Sequence, residues 1–139
     1  MSAFYRCSQL TSISLPNCTS MGQSVFASCS NLRTLSLPKL SIMPAYFAPY
    51  TGISYLYIDI VTSLPNYTFS YMRDLKSVYM RSISAVPSVG AYTFSYSPLV
   101  STTFATDGTY ASIYVPASLY NSFLTTAYWS TISARLVSI

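Results

Sequence analysis

The chain has no histidine and no glutamate, and its three acids, Asp59, Asp74 and Asp107, stand far apart. Without histidine the usual general base is missing, and no spacing forces two carboxylates together, so acid–base catalysis is not expected. Three cysteines, Cys7, Cys18 and Cys29, are too few and too isolated for a metal set, and their odd number does not suggest a disulfide framework. No enzyme activity, cofactor or metal is therefore expected. Charge is scarce: 7% of residues are Asp, Glu, Lys or Arg, against roughly 25% in ordinary domains. The seven bases are scattered singly from Arg6 to Arg135. They form no stripe that could neutralise several phosphates, which argues against nucleic acid. No run of about 18 apolar residues could enter a bilayer as a helix. The opening Met1-Ser2-Ala3-Phe4-Tyr5-Arg6 lacks the apolar region of a signal peptide. The chain is therefore expected to be part of a longer protein, or to reach its destination by another route.

Apolar residues make up 51% of the sequence and aromatics 16%, enough to fill the core of a single domain of 139 residues. These residues recur with a period. Phe4, Phe26, Phe47, Phe69 and Phe94 follow one another at steps of 22, 21, 22 and 25. An aliphatic stands six residues after each of the first four: Leu10, Leu32, Ile53 and Leu75. Alternating segments then follow, Ser12-Ile13-Ser14-Leu15, Thr34-Leu35-Ser36-Leu37, Tyr55-Leu56-Tyr57-Ile58 and Ser77-Val78-Tyr79-Met80. Period-2 alternation marks strands with one buried face. A further apolar anchor closes each unit: Met21, Met43, Leu64 and Val86. Short strands repeated every ~22 residues stack into a parallel sheet along a solenoid.

The fifth unit is irregular. Three extra residues separate Val86 from Phe94, the pattern blurs from Thr103 to Thr109, and Asp107-Gly108 signals a turn. Alternation resumes at Ser112-Ile113-Tyr114-Val115, which reads as the last strand, stopped by Pro116. The period then changes. With Ser118 as N-cap, Leu119, Phe123, Leu124, Ala127 and Tyr128 mark one face of a helix of about three turns. The reading is an α/β repeat solenoid of about five turns over residues 1–116, with residues 117–139 as a helical cap. The first turn begins in mid-unit, so its open end is expected to be covered by a preceding domain or a neighbouring chain.

The units Ala3-Phe4-Tyr5-Arg6-Cys7-Ser8-Gln9-Leu10-Thr11-Ser12-Ile13-Ser14-Leu15-Pro16 and Val25-Phe26-Ala27-Ser28-Cys29-Ser30-Asn31-Leu32-Arg33-Thr34-Leu35-Ser36-Leu37-Pro38 resemble the BspA-type leucine-rich repeat, with its Ala-Phe, Cys, Leu, Ile and Leu-Pro pattern. In later units the Cys position passes to Tyr50, Met72 and Ser97. The segment from Ile113 to Leu119, with Trp129 beyond, resembles the end of such arrays. The resemblance implies a right-handed leucine-rich-repeat solenoid with a short parallel sheet. It also implies adhesion or protein binding at a cell surface, outside the cell or on a virion.

Residues flanking the inward strand positions point out of the sheet. They are Ser12 and Ser14, Thr34 and Ser36, Tyr55 and Tyr57, Ser77 and Tyr79, Ser112 and Tyr114. Tyrosine gives stiff amphipathic contact area and serine adaptable hydrogen bonds, as in antibody-like surfaces, while aromatic rings also stack on sugars. Tyrosine also suits strands regardless of function, through cross-strand pairing. The candidate binding residues are Tyr55, Tyr57, Tyr79 and Tyr114, with Arg33, Lys76 and Arg81 at the strand edges, and the expected ligand is a protein or a glycan. The other reading is structural: a receptor-binding tip or spacer of a larger assembly such as a phage tail fibre. Cys7 and Cys29 share a repeat position and are expected to stack as buried free thiols.

Overall fold

The computed structural model describes residues 3–100 and 107–139. Among them, six short strands form one parallel sheet in the order β1 (Ser12–Ser14), β2 (Thr34–Ser36), β3 (Tyr55–Tyr57), β5 (Ser77–Tyr79), β7 (Ser112–Val115) and β8 (Leu136–Ser138). The register has no slip. Ile13, Leu35, Leu56, Val78, Ile113 and Leu136 lie side by side. A slip of one residue would turn this apolar row outward, so burial of one face fixes the pairing. A second, two-stranded sheet joins β4 (Ser63–Leu64) to β6 (Ser88–Val89), extended by a bridge from Ile42 to Ser63. Between the sheets runs the core, in which Phe26, Leu32, Leu35, Leu56, Phe69 and Leu75 are fully buried.

The first turn is built like the second but half open. Phe4, Cys7, Leu10, Ile13, Leu15, Cys18 and Met21 are only partly buried, whereas Phe26, Cys29, Leu32, Leu35, Leu37, Leu40 and Met43 are completely so. Cys29 donates to the Phe4 carbonyl at 2.8 Å, and burial raises its thiol pKa, outweighing the backbone hydrogen bond with Cys7 that lowers it. All three cysteines are free thiols.

Two units keep the period while shifting its frame. Tyr50 bonds through its N–H to the Tyr71 carbonyl and is 62% exposed, so it cannot hold the Cys29 position. Thr51 holds it, buried and donating to the Ala48 carbonyl as Ser97 donates to Phe94. Ala48 therefore occupies the main phenylalanine site, where it is too small to fill the column. Phe47, one residue earlier, supplies the missing bulk. It meets Phe26 edge-on at 71°, whereas Phe4–Phe26 and Phe69–Phe94 stack at 11°. In the following unit Val89, not Val86, is in register with Leu64. The three extra residues thus precede β6, in the turn around Ser82–Val86. With Ile60, Val61 and Thr62, that turn lines a groove of about 280 Å3.

The cap also differs in detail. The helix α1 spans Ala117–Thr125 and starts directly after Pro116, whose extended backbone (φ −57°, ψ 137°) makes it the N-cap in place of Ser118. Thr126 is extended and Tyr128 has φ 65°, so Ala127 and Tyr128 fall beyond the helix and are exposed. Trp129 turns inward instead, at the start of a 3-10 segment, Trp129–Arg135. Ser112–Val115 is not the last strand, because β8 adds a sixth. The sequence irregularity from 101 to 106 lies outside the described residues. Asp107-Gly108 does turn, with Gly108 at φ 81° and Asp107 accepting from the Thr109 N–H and hydroxyl.

Candidate functional site

On the outward face of the sheet, register brings Ser14, Ser36, Tyr57, Tyr79 and Tyr114 into one column that ends at Val137. The parallel strands set the separation of their rings. Tyr57 and Tyr79 stack at 4.7 Å and 7°, and Tyr79 and Tyr114 at 4.7 Å and 12°. All three are half-buried, since each ring covers its neighbour. Tyr55 stands in the adjacent column between Thr34 and Ser77, exposed and outside the stack.

The structure gives each basic candidate a partner. Arg33 donates from Nη1 to the carbonyls of Ser30 (2.8 Å) and Gly52 (3.1 Å), stitching the second turn to the third. Lys76 pairs with Asp107 at 2.7 Å, both well exposed, and this contact raises the lysine pKa while lowering that of the carboxyl. Arg81 grips Asp59 with both arms, Nε to Oδ1 at 2.8 Å and Nη2 to Oδ2 at 2.6 Å, and its guanidinium lies 5.2 Å from the Tyr57 ring centre. Asp59 is nearly buried. Burial pushes its carboxyl up, yet the hydrogen bonds from the Arg81 side chain and backbone N–H outweigh this and leave the pKa lowered.

A carboxyl whose pKa is lower in the folded state binds fewer protons there than when unfolded. Its stabilisation is present above the unfolded value of ~3.9 and is lost as pH falls through the folded one. Denaturant titrations below about pH 4 should therefore show the native chain losing stability more steeply than Asp59→Asn. Equal slopes would remove Asp59 as a source of acid sensitivity.

The BspA-type leucine-rich repeat region matches residues 1–121 in six copies. The chain belongs to this family. No curated protein matches it. BspA-type repeats are typically non-catalytic, suggest a protein-binding module and are often found in surface proteins. Among the described residues no helix is long and apolar enough to cross a membrane, and no group of three His, Cys, Asp or Glu could hold a metal ion.

The BspA-type turns carry two more aromatic columns that the strand alternation does not reveal. Tyr46, Tyr67 and Tyr92 stack at 4.9 and 5.3 Å, and Tyr50, Tyr71 and Tyr96 at 5.1 and 5.0 Å. They lie on the turns that bear the phenylalanines, away from the sheet. Their sequence signal is a Tyr-x-x-x-Tyr pair recurring at 46/50, 67/71 and 92/96. Taken singly, an i, i+4 pair reads as one face of a helix, so only its recurrence at the repeat period marks the columns.

Proposed function

We propose that this chain is a non-catalytic recognition module of a surface-displayed or secreted protein, binding a protein partner through the outward face of its sheet. The observation that supports this is the Tyr57–Tyr79–Tyr114 stack. Tyr79 has both ring faces taken up by its neighbours, and Tyr57 stacks on one face with the Arg81 guanidinium 5.2 Å from its ring centre, so the column offers mainly a pre-ordered row of ring edges and hydroxyls, at little further entropic cost on binding. Such a row suits hydrogen bonding to a protein surface better than stacking on a sugar. Tyr55 and the Lys76–Asp107 pair extend the surface, and the fixed Arg81 borders it.

The test separates hydroxyls from stacking. With a partner selected by panning surface proteins against the chain, Tyr57→Phe combined with Tyr79→Phe keeps the stack and is expected to weaken binding ~10-fold, with little change in stability. The corresponding double alanine variant should weaken it further and cost about 2 kcal/mol of stability as two stacked pairs are lost. Unchanged affinity in both would remove the sheet face as the site.

A second reading has its own support in the half-exposed apolar residues of the first turn. In that reading a preceding domain or a neighbouring chain covers this end, as in the tip of a phage tail fibre or another surface assembly. A chain that sediments as a monomer while its first-turn amides resist hydrogen exchange as strongly as those of the second would sink it.

A further inference from the structure

Three columns change from serine to tyrosine at the same place, between the second and third turns. On the sheet Ser36 precedes Tyr57. On the phenylalanine-bearing turns Ser24 precedes Tyr46, and Ser28 precedes Tyr50. The backbone N–H of Ser24 bonds the Tyr46 carbonyl, and that of Ser28 bonds the Pro49 carbonyl. The result is a step, with two short hydroxyl side chains on one turn and two aromatic rings rising on the next.

The rings at this step have a free side. Tyr46 stacks on Tyr67 at 9° and Tyr50 on Tyr71 at 26°, so each has one face against the following turn and the other directed over serine. Exposure follows the stacks: the end rings Tyr46 and Tyr50, at 39% and 62%, and Tyr92 and Tyr96, both at 53%, are open, whereas the central rings Tyr67 and Tyr71 are half-buried, and only Tyr46 and Tyr50 stand over serine. Nor does the backbone ask for tyrosine there. Tyr46 and Tyr50 have φ of 46° and 58°, and Ser24 and Ser28 adopt the same left-handed turn at 54° and 61°. Arg6, Tyr67, Tyr71 and Tyr96 share this conformation, so the turn belongs to the repeat and accepts serine, arginine or tyrosine alike. The core gains nothing from these exposed rings.

The geometry points to a binding site for the pyranose rings of a neutral glycan at this step, on the free faces of Tyr46 and Tyr50 above Ser24 and Ser28, separate from the sheet face. The C–H face of a sugar carries slight positive charge and packs on the negative face of an aromatic ring. Its hydroxyls find the serine Oγ atoms: that of Ser24 donates to the Tyr46 carbonyl at 3.3 Å and keeps its lone pairs as acceptor, while that of Ser28 can serve as donor or acceptor. The one charged residue in the two columns is Arg6, a turn beyond Ser28, with its guanidinium 5.1 Å from the Tyr5 ring centre. A protein laid along this wall would meet mainly ring edges, whereas the step presents full faces.

The whole chain is tested against immobilised β-linked oligomers of glucose, galactose and N-acetylglucosamine, followed by titration of whichever series binds. Tyr46→Leu combined with Tyr50→Leu keeps bulk over Tyr67 and Tyr71 but removes two aromatic faces, and should lower affinity roughly 30-fold. Ser24→Ala with Ser28→Ala should lower it a few-fold. The Tyr57→Ala/Tyr79→Ala variant is expected to keep glycan affinity, so this site and the sheet site can fail separately. In the unaltered protein, ring resonances of Tyr46 and Tyr50 should move on adding the sugar, a readout that does not depend on any variant folding. The proposal is overturned if none of the three series binds, or if those resonances stay fixed. It is also overturned if affinity survives in the double leucine variant, or if that variant loses only self-association or capture of a protein.

Discussion

Trp129→Ala is expected to lower stability by about 4 kcal/mol, the range for deleting a large buried aromatic, and the thermal midpoint by more than ~10 °C. Trp129 is fully buried at the C-terminal end of the solenoid. Its ring meets Phe123 of α1 edge-on at 4.7 Å and Phe94 of the last phenylalanine turn at 5.2 Å. Its Nε1 donates to the buried Pro87 carbonyl at 2.8 Å. One side chain thus joins the cap, the aromatic wall and the turn before β6. A repeat array depends on the interfaces between neighbours and on its ends, so opening this joint exposes the apolar end of the last turn. Trp129→Phe should cost about 2 kcal/mol, because most packing stays while the Pro87 carbonyl loses its donor. Chemical denaturation of both variants checks this. A loss below ~1 kcal/mol in the alanine variant would show that the cap unfolds apart from the solenoid.

Gly52→Ala should cost about 3 kcal/mol, the upper end for overpacking. A Cβ at Gly52 would lie 1.6 Å from Arg33 Nη1 and 2.3 Å from the Ser30 carbonyl oxygen. The guanidinium can swing away, giving up its bonds to Ser30 and Gly52, but the carbonyl belongs to the backbone of the preceding turn. Arg33→Ala alone should therefore cost only about 1 kcal/mol. Combining it with Gly52→Ala should recover little of the larger loss. Full recovery would show that the arginine, and not the close approach of two turns, requires glycine.

Much of the fold was legible because burial imposes a simple rule on short strands. Leu35, Leu56 and Val78 alternate with polar residues, and a period of about 22 leaves one way to stack them with all three inward. The resemblance to BspA-type repeats rested on the same letters. Where the period shifted by one or three residues the sequence misplaced side chains: Tyr50 was assigned the Cys29 position that Thr51 holds, and Val86 the register that belongs to Val89. Both errors share a cause. Residues one or three positions apart can serve the same spacing, and hydrogen bonds between turns decide which one enters the column. At the C-terminus the spacing of Ala127 and Tyr128 fits a helix, but the backbone leaves the helix at Thr126 and buries Trp129.

The candidate site divides in the same way. Tyr57, Tyr79 and Tyr114 could be placed on one outward face from alternation alone. Their stacking, the exclusion of Tyr55 from it, and the pairing of Arg33, Lys76 and Arg81 depend on which turns lie side by side.

By itself the sequence determined a repeating turn, a parallel sheet with an apolar inner row, and a helix after Pro116, since each follows from local periodicity and the need to bury one face. Only the tertiary structure decided which tyrosines touch, which cations are already held, and where free ring faces open beside serine. Those are contacts between residues about one turn apart in the chain, set by register between turns rather than by neighbours in sequence.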